Sequence, residues 1–257
     1  MLRKRIIFTL IYNEGFFVQS RNFRLQRVGD INWLEKNYKF KKIAESLDEL
    51  IILNASRISK DVNDFALIVN RLVENVFLPV CAGGGINSIQ DADLLFKNGA
   101  DKLVLNTALH KNKSLVSEIV NIYGSQSVVA SVDCKLSANN NYDIYINNGS
   151  ERLNVGLKEY INIVQDLGVG EIYLNSIDKD GTGFGYEMPL INEASSISNL
   201  PLIIAGGAGN EKHLADGLSI RNVEAVATAN LFNFVGDGLP ISREFLLKNG
   251  YNLANHI

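Results

Sequence analysis

Asp133 closes the apolar run SVVASVD (127–133). A carboxylate leaving a buried strand at its C-terminal end is placed to exchange protons with a ligand bound there. Two glycine clusters, AGGGINS (82–88) and AGGAGN (205–210), each follow another apolar run. Glycine lets a ligand approach the backbone, and a helix that starts just beyond aims its first N–H groups at an anion. Gly84 and Gly85, with Asn106 and Thr107 at the end of the next strand, make one candidate phosphate site. Gly206 and Gly207, with Ala229 and Asn230, make a second. Tight turns without a ligand explain either cluster alone; the symmetric pair favours a bisphosphate-like small molecule.

Between these clusters lies IDKDGTGFGYE (177–187), from which Asp180 and Gly181 are the expected ligand contacts. A calcium loop is the competing assignment, but the bidentate acid it needs at fixed spacing is missing. Four charges stand at the opposite ends of the strands: Arg5, Glu49, Lys102 and Glu171. Two cations and two anions can close a ring, and burying such a ring is costly unless every member is paired. It is either a structural plug or a gate on a passage along the axis of the fold. Cys134 has no paired histidine and reads as a small apolar residue. His110, His213 and His256 are scattered without metal-ligand spacing, so neither a metal nor another cofactor is expected.

The elements that must position these residues are short apolar runs alternating with amphipathic helical patterns. Eight strands are predicted, at 6–12, 49–54, 78–83, 102–106, 127–133, 171–175, 200–206 and 224–228. They are nearly continuous in apolar residues, as parallel strands buried on both faces should be. Residues 62–76 carry apolar side chains at three- and four-residue spacing and predict a helix. Eight such units without a linker predict a single (β/α)8 TIM barrel over residues 1–257. A shift of 122 residues lays Glu49 on Glu171, Pro79 on Pro201 and Gly84-Gly85 on Gly206-Gly207. Two duplicated half-barrels are therefore expected, about 1–122 and 123–257. YDIYI followed by Asn-Asn-Gly predicts a β-hairpin after the fifth strand, and residues 13–31 form a long connection after the first.

Composition agrees with this and excludes several classes. The net charge of −3 lacks the basic excess of a nucleic-acid binder, so backbone amides must do much of any anion holding. No apolar stretch approaches the roughly 20 residues of a membrane span. The basic, then apolar opening MLRKRIIFTLIY mimics a signal peptide but runs into Asn13-Glu14-Gly15 without a cleavage site, and is expected to be a first buried strand. Two cysteines are too few for a disulfide scaffold, so the cytoplasm is the expected location.

Taken together, KRII (4–7), GGGI (83–86), ADK (100–102), GSQ (124–126), Asp133-Cys134-Lys135, DKDGTGFGY (178–186) and GGAG (206–209) closely resemble the cyclase subunit of imidazole glycerol phosphate synthase, over essentially the whole chain. The resemblance implies a glutaminase partner, a class I glutamine amidotransferase, docked on the barrel bottom. Its ammonia would pass through the barrel to a phosphorylated ribotide at the mouth. It also implies an acid–base pair of aspartates at the ends of the first and fifth strands. Asp133 matches one of them; the other position is Ile11. Gln19, Asn54, Asn175 and Asn230 also depart from the family pattern, whereas Arg5, Glu49, Lys102, Glu171 and Gln126 keep it. A damaged cyclase with an intact conduit implies a paralogue that supplies ammonia for amidating a surface-polysaccharide sugar, with a sugar amidotransferase as a further partner. An authentic cyclase of histidine biosynthesis and a non-catalytic phosphosugar-binding barrel are the alternatives.

Overall fold

A computed structural model describes residues 3–37, 43, 45–58, 61–229 and 237–254. Eight parallel strands close into a barrel in the order β1 (Arg5–Asn13), β4 (Glu49–Asn54), β5 (Val80–Gly83), β6 (Lys102–Leu105), β7 (Val128–Leu136), β10 (Glu171–Ser176), β11 (Leu202–Ala205) and β12 (Val223–Thr228). β12 pairs back onto β1, Arg5 opposite Ala225, and this closes the ring of strands. The eight predicted strands are these eight. The 122-residue offset reappears in the coordinates: β4 and β5 recur, end for end, as β10 and β11.

Alternation along each strand divides the apolar residues between two separate cores, because successive side chains point to opposite faces. Ile6, Phe8, Leu10 and Tyr12 of β1 face the surrounding helices. Ile7, with Ile51, Val104, Val129, Tyr173 and Ile203, fills the barrel interior. Helix Val62–Val73 shows what the outer layer requires. It buries Val62, Phe65, Ala66, Val69 and Leu72 at three- and four-residue spacing, and Asp61 caps its first turn by accepting from the Asn63 N–H.

Two antiparallel hairpins rise from the C-terminal ends of the strands. The expected one comprises β8 (Tyr142–Ile146) and β9 (Glu151–Gly156) and extends β7. The other comprises β2 (Phe16–Arg21) and β3 (Arg24–Gly29), where the sequence suggested only a long connection. The apolar pattern missed it because β3, RLQRVG, is largely polar and none of its residues is fully buried; backbone pairing rather than burial makes it a strand. Its turn residues Asn22 and Phe23 both take positive φ, 50° and 62°, the geometry that lets two strands reverse without splaying.

Candidate active site at the barrel mouth

A cavity of about 500 Å³ occupies the mouth formed by the C-terminal ends of the barrel strands. Gly84, Gly85, Asn106, Thr107, Asp133, Asp180, Gly181, Gly206, Gly207 and Ala229 all line it. Asn230 lies outside the described residues. Residues far apart in the chain thus converge because each ends, or directly follows, a barrel strand.

Asp133 sits on the cavity wall, 7% exposed. Its Oδ1 accepts from Asn175 Nδ2 and its Oδ2 from Asn106 Nδ2, both at 3.2 Å. Burial raises its pKa to about 7; the Asn175 hydrogen bond opposes the rise, and the charge of Asp180 adds to it. Near neutral pH this carboxyl therefore divides between donor and acceptor forms, the condition an acid–base group needs. On β1, Ile11 lines the same cavity, while Tyr12 turns outward against Phe17 and Phe65. Tyr12 is thus no substitute for an acid at position 11.

Both glycine clusters line the cavity. The helices that follow them are capped by their own side chains. Ser88 accepts from the Asp91 N–H, and Asp91 accepts from the N–H groups of Asn87 and Ser88. Asn210 likewise accepts from the N–H groups of Lys212 and His213. These caps take up the Asp91 N–H of one helix and the Lys212 and His213 N–H groups of the other, whereas Asn106, before the short helix Thr107–Lys111, makes no side-chain capping bond. Close packing also demands glycine here. A Cβ at Gly84 (φ +103°) would lie 2.2 Å from the Asn54 carbonyl oxygen, and one at Gly207 (φ +110°) 2.1 Å from that of Gly185.

Asp180 reaches the cavity with its carboxylate engaged: its Oδ2 accepts from Ser20 Oγ at 2.5 Å and from the Phe23 N–H at 3.1 Å. Through Oδ2 it ties the tip of the β2–β3 hairpin down on the mouth. Burial raises its pKa, against the pull of those two bonds. The β8–β9 tip closes the other side. Asn148 Nδ2 donates to the Ala55 carbonyl at 3.1 Å, and the Asn147 N–H donates to Thr107 Oγ1 at 3.2 Å. Phe23, Arg57, Asn147 and Asn148 also line the cavity. The sequence marked Asn147 and Asn148 only as a hairpin turn and did not mark Phe23 or Arg57, because only the fold brings hairpin tips over a cavity.

At the opposite end the four charges form a closed ring. Arg5 meets Glu49 at 2.6 Å and Glu171 at 2.8 Å, and Lys102 meets Glu49 at 3.1 Å and Glu171 at 3.4 Å. The buried Cys81 thiol donates to Glu49 Oε1 at 2.6 Å. Burial opposes the charges of Arg5, Glu49 and Lys102, yet the partners prevail: the pKa values of Arg5 and Lys102 lie above their usual values and that of Glu49 below. Among the described residues no cluster of three potential metal ligands occurs, and no helix is long and apolar enough to cross a membrane.

Fold and site together define a (β/α)8 barrel with its ligand cavity at the strand C-termini and an ionic ring at the other end. The model of the family described as histidine biosynthesis protein matches residues 5–236. The chain belongs to that family and, within it, to the HisF-like subunits of imidazole glycerol phosphate synthase. A protein of Parasynechococcus marenigrum (strain WH8102) with the provisional name imidazole glycerol phosphate synthase subunit hisF2 is 48% identical over 95% of this chain and 90% of its own length. Imidazole glycerol phosphate synthase subunit HisF of Chloroherpeton thalassium is 36% identical over 97% of this chain and 98% of its own. The HisF subunit of a Hydrogenobaculum species is 33% identical over 98% and 99%.

Proposed function

We propose that this chain is the synthase-side subunit of a glutamine amidotransferase that conducts ammonia from a glutaminase, through the barrel, to a phosphorylated acceptor at the mouth. In this reading the acceptor is no longer the cyclase ribotide. Ammonia serves the amidation of a surface-polysaccharide sugar, with a sugar amidotransferase downstream. The observation that carries it is the single available acid. Among the described residues only Asp133 and Asp180 bring carboxylates to the cavity; Asp180 is held by the hairpin, and Ile11 stands on the β1 wall. Losing one member of a general acid–base pair lowers a rate by about 10²–10⁴-fold.

The ring end supports a partner. Phe77 is 94% exposed just before β5, and Ile122 is 54% exposed before β7, both on the side of the barrel where the ring lies. Exposed large apolar residues beside a charged ring suit a docking face. Glycine backbone at 84–85 and 206–207 supports a phosphorylated ligand without basic excess.

The test is turnover of the ribotide with ammonium salts in place of glutamine. Little or no turnover by the native chain, with a gain in Ile11→Asp, is the expected outcome. Cyclase turnover at the level of a HisF subunit would overturn the diverged acceptor, and the near-neutral pKa of Asp133 is what favours that second reading. Affinity purification of the tagged chain from its own cells should recover a glutaminase; its absence would sink the conduit. Should the chain bind a bisphosphate unaided and recover no partner, the phosphosugar-binding barrel is the better account. The matching strand positions in the two halves further support descent from a duplicated half-barrel.

A further inference from the structure

Between the ionic ring and the cavity, a polar contact crosses the barrel interior. The inward face of β10 reads Glu171, Tyr173, Asn175: the first in the ring, the last bonded to Asp133, and Tyr173 between them. The inward face of β1 reads Arg5, Ile7, Thr9, Ile11 in the same direction. Tyr173 is 4% exposed, and its hydroxyl lies 3.3 Å from Thr9 Oγ1. β11 and β12 separate β10 from β1 in the barrel, so the phenol must pass over their inner faces. Besides Ile203, those faces carry Ala205, Ala225 and Ala227, where β1, β4 and β6 carry Ile7, Ile51 and Val104. Small residues on two adjacent strands make the room that a large ring needs to reach across a close-packed interior. Both Tyr173 and Thr9 also line the mouth cavity, so their contact forms part of its floor.

We propose that the Tyr173–Thr9 hydrogen bond is a second closure of the barrel, in series with the ionic ring, and that it admits only a small neutral molecule able to exchange hydrogen bonds with both hydroxyls. Its role as an ammonia gate rests on the function proposed above. The chemistry is that of selection. Between ring and floor the lining is apolar (Ile7, Ile51, Val129, Ile203), so an ion entering there would lose its hydration without compensation. Ammonia, neutral and both donor and acceptor, can take the place of either hydroxyl as it passes. The contact then re-forms behind it, keeping cavity water from the ring.

Cys81 provides a reporter within this chain. Its thiol lies inside the barrel at the level of the ring, whereas Cys134 is buried in the outer core between strands and helices. Methylmercury chloride, a compact neutral thiol reagent, is added to the full-length native protein and to Tyr173→Leu, and modification at each cysteine is followed by peptide mass spectrometry. With the closure shortened, Cys81 should react roughly tenfold faster while Cys134 keeps its native rate, since a local opening changes only the protection it controls. Thr9→Ala, which removes one hydroxyl and a methyl group, should accelerate Cys81 in the same direction and carries the test if Tyr173→Leu does not fold. An unchanged Cys81 rate in a folded variant, or equal acceleration of Cys81 and Cys134, overturns the proposal. The measurement needs no glutaminase, so its failure leaves ammonia conduction to be judged separately by partner recovery.

Discussion

At Asp133 two influences oppose each other: burial favours the neutral acid, and the amide of Asn175 favours the carboxylate. Burial wins, and the consequence extends to stability. The folded pKa of about 7 lies above the unfolded value of 3.8, so between those values the native state binds more protons than the unfolded chain. Stability contributed by this residue therefore falls as pH rises from about 4 towards 7 and is fully lost above the folded value. Asp133→Asn removes that penalty. In urea unfolding at pH 8 the variant should be more stable than the native chain, by on the order of 2–4 kcal/mol, and the gap should shrink towards pH 4. A gap independent of pH would mean that Asp133 is not held near neutrality. The importance of Asp133 was legible from its place at the end of an apolar strand. Its pKa was not, because Asn106 and Asn175 lie 27 and 42 residues away along the chain.

The elements divide into those that burial dictates and those that pairing dictates. All eight barrel strands were readable because both of their faces are covered, which forces long apolar runs. The β8–β9 hairpin was readable from its turn: Asn147, Asn148 and Gly149 all take positive φ, which asparagine and glycine tolerate best. The β2–β3 hairpin had no such signature; it is held by pairing with β1, by Asn22 Nδ2 donating to the Ile177 and Asp178 carbonyls, and by the buried Asp180 carboxylate at its tip. Asp180→Ala removes the acceptor for Ser20 Oγ and the Phe23 N–H together. Trypsin should then cut at the exposed Arg21 and Arg24 about tenfold faster, while the urea midpoint of the barrel moves little. Equal cleavage rates in the two proteins would show that pairing with β1 holds the hairpin without the clamp.

On the scale of the molecule, closure joins the last unit to the first. Arg243, on the helix Gly238–Lys248, reaches Asp48 with two nitrogens, each at 3.0 Å. Asp48 also accepts the Ile6 N–H at 2.8 Å, so one carboxylate ties the final helix to the start of β1 and sits just before β4. Arg243 is only 7% exposed, and stripping a guanidinium from a buried carboxylate costs about 3 kcal/mol or more. Arg243→Ala should therefore lower the thermal midpoint markedly, measured by circular dichroism, whereas Lys248→Ala, at an exposed pair on the same helix, should leave it almost unchanged. Similar midpoints for the two variants would remove Arg243 from the closure.

By itself the sequence determined the parallel barrel, its eight strands, the residues at the strand ends and the two glycine clusters. Each depends on local composition: apolar runs covered on both faces, and glycine where backbone meets backbone. The tertiary structure decided which strand ends face one another. It set Ile11 on the cavity wall with Asp133, tied Asp180 to the hairpin, capped part of the first turns of the helices after the glycine clusters with their own side chains, and carried Tyr173 over the alanines of β11 and β12 to Thr9. These are contacts between residues brought together only by barrel closure, and closure is a property of all eight strands at once, which no local stretch of sequence encodes.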